Sequence, residues 1–565
     1  MKSIICEHVF LLIGCLFAPT LFAGGSYGGG TGTAADPYRI WTYQDMNSIG
    51  DYSADWNKCF ILMADIDMSL VTGTQYKIIG NFRGTFDGNG HVIRNFSYTS
   101  DAAGTYVGLF SSATNAMIKN LGIVNLNLSV NAKYVGGLAG LVNNCTITNC
   151  HCIGTITTSY SENELSVGML VGYQNNGTIS NCFTEGSVVA TMTSTSYYWN
   201  ASAGGLVGQQ YVGTISDCHS HASVTATSLK ERAFAGGLVG YQYDNICNIV
   251  NSYSTGEVSA VNTPTPYAGG LVGYRDAMTN SLTNGCHSTG TVTASSTLNH
   301  AYAGGLIGYL TAPITNCYAT GAVHCSGRFT FAGGLLGYAK IATVTQCSST
   351  GALDALAKTD AYSGGLVGYS EESTFSQCYS KGMLNTSAGA TAYVGSLAGT
   401  AWNTSLTQCY SVGLLKDIDG AAVYGGGAVG YRQNTTANAC FWDTVTTGWP
   451  RASDYADTYT GGITGGVTSE LQTALTFTNA GWDFEEMWAI CEGTNYPRLL
   501  SQIPAGDLVC PDGVGVEDLN LLTLGWLSDD CGASNQFCGG ADINASGAVD
   551  LADFAVFAGH WMEGI

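Results

Sequence analysis

The chain is poor in charge, and poorest in cations. Only 11% of its 565 residues are charged, and 19 Lys and Arg stand against 41 Asp and Glu, for a net charge of −22. A nucleic-acid partner needs Lys and Arg to neutralise phosphates, so that class is excluded. The acidic balance instead suits an exported chain that uses cations. Leu, Ala, Glu and Lys are too thin for helical repeats, and Pro numbers only 9. No internal run is apolar for long enough to span a membrane. Acids within the central part are sparse, and none recurs with a partner at a fixed spacing, as convergent acid–base chemistry would require. A His-Glu-x-x-His motif is also missing.

Glycine (76 residues) and tyrosine (32 residues) are abundant, and they are periodic. Gly136-Gly137-Leu138-Ala139-Gly140 returns with Leu170, Leu206, Leu238, Leu271, Leu306, Leu335, Leu366 and Leu397 in the central place, and with Ala428 as a weaker copy. Gly108-Leu109-Phe110 is a degenerate first copy. Short segments rich in Val, Ile, Thr and Tyr between Gly, Asn and Ser read as strands and tight turns. A period of about 31 residues means that each unit buries its apolar side chains on the next. The predicted fold is mainly β: a right-handed parallel β-helix of about ten coils, followed by a small α-helical, EF-hand-like domain.

Residues 1–23 read as a signal peptide, with Lys2, an apolar run and Ala23. Residues 24–35 read as a flexible linker, 36–107 as an N-terminal β cap, 108–445 as the solenoid, 446–500 as a C-terminal cap and 501–506 as a second linker. In the cap, Thr42 is a candidate N-cap for a helix that places Met46 and Ile49 on one face. Trp482, Phe484 and Trp488 mark the C-terminal cap.

Each unit also carries a second phrase, such as Ile314-Thr315-Asn316-Cys317-Tyr318. It aligns Cys150, Cys182, Cys218, Cys286, Cys317, Cys347, Cys378, Cys409 and Cys440, with Ser252 in one place. Stacked coils bring such residues within disulfide reach. The Ser rung nevertheless favours an inward ladder of small thiols. Ile314 and Cys317 have opposite parity on a straight strand, and a bend at Asn316 would put both inside. Two aromatic columns flank the repeated glycine, one including Tyr274, Tyr309, Tyr338 and Tyr369, the other Tyr267, Tyr302, Tyr362 and Tyr393. They either stack to support the coil or, if exposed, offer faces to sugar rings.

Residues 501–565 hold ten acids and no Lys or Arg. Two copies of one pattern lie 35 residues apart there, matching Asp507 to Asp542, Val514 to Val549 and Asp518 to Asp553. The second copy has Asp542, Asn544, Ser546, Asp550 and Asp553 at loop positions 1, 3, 5, 9 and 12, with Gly547 at 6 and the Ala548 carbonyl at 7. Ca²⁺ takes such a set of hard oxygens. Asp507 and Asp518 are a weaker set, since Val509 and Pro511 replace oxygen donors. One disulfide among Cys510, Cys531 and Cys538 is expected nearby.

The Gly-Leu-Val-Gly units resemble the GLUG repeats of bacterial exported proteins, which implies a surface or adhesin-like module. The duplicated loop-helix resembles the dockerin type I family, which implies Ca²⁺ as cofactor and docking to a cohesin-like partner. The loops depart from that family at positions 10 and 11, where Val516-Glu517 and Leu551-Ala552 stand. The resulting reading is a secreted or cell-surface, non-catalytic scaffold or adhesin that is glycan-associated, with polysaccharide as a second partner. The alternative is a carbohydrate-active β-helix enzyme delivered to a complex by the docking module.

Overall fold

A computed structural model describes residues 25–195, 199–243, 246–276, 280–456, 461–510, 513–531 and 536–561. The expected signal peptide lies outside the described residues.

The repeated phrase makes a coil of five short strands. One turn runs through Ile314–Thr315, Tyr318–Ala319, Val323–Gly327, Phe329–Gly333 and Leu336–Lys340. The first and last of these belong to one long sheet and the middle three to another. Each strand pairs in parallel with its equivalent one coil on: Ile314 with Val344, Tyr318 with Ser348, Val323 with Leu353 and Leu336 with Val367. Roughly a dozen turns of about 31 residues stack in this way. One continuous apolar core runs from Ile40 to Trp442.

The glycine phrase follows from coil spacing. A Cβ at Gly304 would lie 1.9 Å from the Ile307 carbonyl oxygen, and one at Gly305 would lie 2.0 Å from that of Gly334. The chain reverses here between sheets with backbone against backbone, and Leu306 and Ile307 are both fully buried in the core. The Leu306 amide donates to the Leu335 carbonyl at 2.9 Å. Burying each such leucine contributes about 1.5–3 kcal/mol.

The second corner precedes the cysteine column. Asn149, Asn181, Asp217, Asn251, Asn316, Gln346, Gln377, Gln408 and Ala439 all have positive φ, between 48° and 55°. Asn316, at φ 53°, is the bend that admits both Ile314 and Cys317 to the core, each fully buried. The corner side chains form an amide ladder up the outside, as in Gln346 Nε2 to Gln377 Oε1 at 3.4 Å and Gln377 Nε2 to Gln408 Oε1 at 3.4 Å.

Residues expected to form an N-terminal cap instead supply coils in the same register. Tyr38 pairs with Phe60, Cys59 with Thr85 and Thr85 with Met117, all in parallel. The short strands around Gly84 therefore pair with neighbouring coils rather than with each other, because a parallel stack has an open edge waiting for them. The expected helix forms over Tyr43–Ser48, capped by Thr42 and Asp45 in a capping box, with Met46 and Ile49 buried. The stretch expected as a flexible linker is a hydrogen-bonded hook. Gly28 N donates to the Arg39 carbonyl at 3.0 Å, Gly25 N to Asp55 Oδ2 at 2.7 Å, and the Tyr27 ring packs on Tyr38 and Phe60.

At the other end, Ile463–Gly466 pairs with Cys440–Asp443, and Trp442 and Trp449 close the last coil. The tryptophans expected as a cap lie along the flank instead. Trp482 and Trp488 cover Tyr410, and Trp482 with Phe477 covers Phe441. Residues 501–506, expected as a linker, begin on the coils. Gln502 accepts from Ser348 Oγ at 2.6 Å and donates to the Gln346 carbonyl at 3.2 Å. The flank is covered because the column after the cysteines becomes apolar there, and buried aromatic area outweighs the entropy of tethering the tail.

Candidate functional site

The acidic C-terminal segment folds as two loop–helix copies around one small core of Val514, Leu522, Ala541, Val549 and Phe557. The helices are Val516–Leu524 and Leu551–Gly559. Val549 is tied to the linking turn: its amide donates to the Ser528 carbonyl at 2.9 Å, and its carbonyl accepts from Leu527 N at 3.0 Å.

In the second loop, Asp542 and Asp553 are almost wholly buried. Asp542 accepts from the amides of Ser546 and Gly547, each at 2.9 Å. Asp553 accepts from Asn544 N at 3.0 Å and Asp550 N at 2.9 Å. Ser546 Oγ donates to the Ala548 carbonyl at 3.1 Å. Asp550 turns to the helix start, accepting from Ala552 N at 2.7 Å. Gly547, at φ 99°, makes the sharp turn that a side chain would strain. The first loop repeats the arrangement. Asp507 accepts from Gly513 N at 3.0 Å, and Asp518 from Leu508 N at 2.6 Å, Val509 N at 2.9 Å and Gly515 N at 2.8 Å. Asp507 also faces Arg498 at 3.6 Å.

The donor chemistry of the second loop, with two buried carboxylates, an amide oxygen, a hydroxyl and a carbonyl, fits a hard divalent cation. Among the described residues, no three carboxylate, imidazole or thiol side chains converge at ligand distance. Two disulfides brace the segment. Cys531–Cys538 lies within it, and Cys491–Cys510 ties it to the flank segment.

The cysteine column carries free thiols. Each donates to the carbonyl two residues back: Cys317 to Thr315, Cys347 to Thr345 and Cys378 to Ser376, all at 3.1 Å. Ser252 does the same toward Val250 at 2.8 Å, which is why it can replace a rung. The column is therefore an inward ladder that satisfies the corner. Burial pushes the nearby Cys325 thiol up to about 12, where it stays protonated.

The tyrosine columns are zipped together. Tyr362 and Tyr393 stack with centroids 4.8 Å apart and planes at 0°, and Tyr274 and Tyr309 at 4.6 Å and 1°. Across the columns the rings meet edge to face, as Tyr362 and Tyr369 do at 75°. Both faces of an internal ring are thus taken by its neighbours, leaving none for a sugar.

Two arrangements escape a sequence reading. One is a third aromatic column, directly after the cysteines, in which His151, Phe183, His219 and Tyr253 stack at 4.7, 5.3 and 4.9 Å. Mixed residue types hide its period. The other is a cross-coil polar row in which His324 Nδ1 lies 3.1 Å from Asp354 Oδ2, while Asn385 Nδ2 donates to Asp354 Oδ1 at 2.7 Å. Its signal is the spacing of about one coil between unlike residues.

Residues 235–259 and 299–323 match the family model described as the GLUG motif. An alignment 114 residues long, covering 18% of the chain, is 32% identical to Halomucin of Haloquadratum walsbyi and spans 1% of that protein. A crystal structure from Bacteroides ovatus, of a chain bearing the provisional name immunoglobulin A1 protease, shares 17% identity over 84% of this chain and 95% of its own, with a TM-score of 0.32. Among the described residues, no helix is long and apolar enough to cross a membrane. The chain is a parallel β-solenoid that carries the GLUG motif.

Proposed function

We propose that the chain is an extracellular, non-catalytic repeat scaffold of the surface or adhesin kind, attached through its C-terminal segment by calcium-dependent docking to a cohesin-like partner. The observation that carries this reading is the twinned burial of carboxylates at the first and last loop positions, Asp507 with Asp518 and Asp542 with Asp553, each held by backbone amides. Burying a carboxylate is costly unless charge or hydrogen bonds offset it, and a bound cation would supply that charge. Asp542, Asn544, Ser546, the Ala548 carbonyl, Asp550 and Asp553 would hold it, and the weaker first loop would use Asp507 and Asp518. The backbone amides orient these carboxylates, and the disulfides keep the two helices presented together as one docking surface.

Calorimetry of the full chain with CaCl₂ tests the reading. Binding in the parent and its loss in Asp542→Ala/Asp553→Ala is the expected result. Loss of only a weaker second event is expected for Asp507→Ala/Asp518→Ala. Absence of any calcium heat in the parent overturns the docking module.

A further inference from the structure

The polar row at His324 lies in an open surface groove of about 300 Å³. Its geometry comes from stacking, since outward-facing residues one coil apart form rows. His324 pairs with Asp354, and Asp354 with Asn385. Two positions further along each strand, Ser326 pairs with Leu356, and Leu356 with Ser387. Small inward residues, Cys325 and Ala355, make the floor between the two rows.

The fourth coil breaks the pattern with a bulge. Leu384 pairs with Leu415 and Thr386 with Ile418, so Asn385 faces both Lys416 and Asp417. Bulges re-aim side chains, and Asp417 here lines the end of the groove. From Thr293 to Asp417 the groove crosses four coil steps, about 19 Å at about 4.8 Å each.

We infer that this groove binds a linear, uncharged polysaccharide laid along the solenoid axis. The proposal deepens the glycan-associated reading of the scaffold but uses none of the calcium segment. Length and shape call for an extended polymer. A peptide would bind such a protein by adding a strand, yet the strands here already spend their amides and carbonyls on neighbouring coils. The Asp354 and Asp417 carboxylates repel acidic polymers. What the groove offers is carboxylate, amide and hydroxyl groups in a row, which suits sugar hydroxyls as donors and acceptors. Leu356, 61% exposed, supplies an apolar wall for the C–H face of a sugar ring. Each Asp354 oxygen accepts one bond, from His324 or Asn385, and keeps a lone pair for the ligand. Asn385 Oδ1, on the outward row, is sheltered from solvent with no hydrogen-bond partner. Buried polar atoms are normally satisfied, and a hydroxyl-bearing chain brings the missing group.

Affinity electrophoresis of the full chain, in gels containing a soluble β-glucan, xylan or mannan and in parallel polygalacturonate gels, tests this. Retardation by at least one neutral polymer is expected, weakened at least tenfold in His324→Ala/Asp354→Ala, with the unfolding midpoint unchanged. Leu356→Asp, an independent surface change, is expected to weaken it as well. Retardation is expected to survive chelation of calcium, so failure of the docking segment and failure of the groove read separately. No retardation by any neutral polymer, equal retardation of parent and both variants, or preference for polygalacturonate overturns the proposal.

Discussion

Ile314 and Cys317 are both fully buried, although residues three apart would face opposite sides of a straight strand. Asn316 between them, at φ 53°, turns the chain so that both enter the core. The left-handed region costs an ordinary L-residue about 1–2 kcal/mol and a β-branched one more, whereas Asn and Gly adopt it readily. Asn316→Val is therefore expected to lower the midpoint of urea unfolding, and Asn316→Gly to leave it nearly unchanged. Equal midpoints for the two would show that the corner does not depend on this backbone state.

The thiol ladder makes a chemical prediction. Cys286, Cys317, Cys347, Cys378 and Cys409 are fully buried and bonded to carbonyls. Native protein treated with iodoacetamide should show no label on these residues by peptide mass spectrometry, with full labelling in guanidinium. Cys317→Ser should fold, following Ser252, with a loss of about 1 kcal/mol or less. Labelling of the native ladder would contradict its burial.

Stacked rings separate support from recognition. Tyr362 lies between Phe331 at 4.9 Å and Tyr393 at 4.8 Å. Aromatic pairs contribute about 0.5–1.5 kcal/mol beyond burial, so Tyr362→Leu should lower stability by about 1–2 kcal/mol. Polysaccharide retardation should not change, because the ring has no free face. A fall in retardation with stability intact would make the tyrosines a binding surface.

Acid should weaken the histidine-containing column. Burial first, and His221 second, hold His219 below its ordinary pKa, and burial does the same for His151. The folded state therefore binds fewer protons than the unfolded chain. The contribution is present above the unfolded value of about 6.5 and is lost as pH falls through it toward the folded value. Melting temperature should drop between pH 7.5 and pH 5, and less steeply in His151→Phe/His219→Phe, which keeps the stack as Phe183 does. Identical slopes would remove these histidines from the account.

The sequence by itself determined the coil. A fixed period, three glycines where backbones touch, and an inward leucine are local requirements, and each unit states them again. The two loop–helix copies were legible for the same reason: one pattern of carboxylates and valine repeated 35 residues apart. Stacking decided the rest. That Thr85 pairs with Cys59 and Met117 on the neighbouring coils depends on open sheet edges that no local pattern reveals. Trp482 and Trp488 could have covered an end or a flank, and Tyr410 and Phe441 set the choice by offering apolar area on the flank. His324, Asp354 and Asn385 become neighbours only because parallel pairing places residues about one coil apart side by side, at a spacing of about 4.8 Å. The coil is a local instruction repeated, whereas the surface of the solenoid is written across coils, and its chemistry exists only once they are stacked.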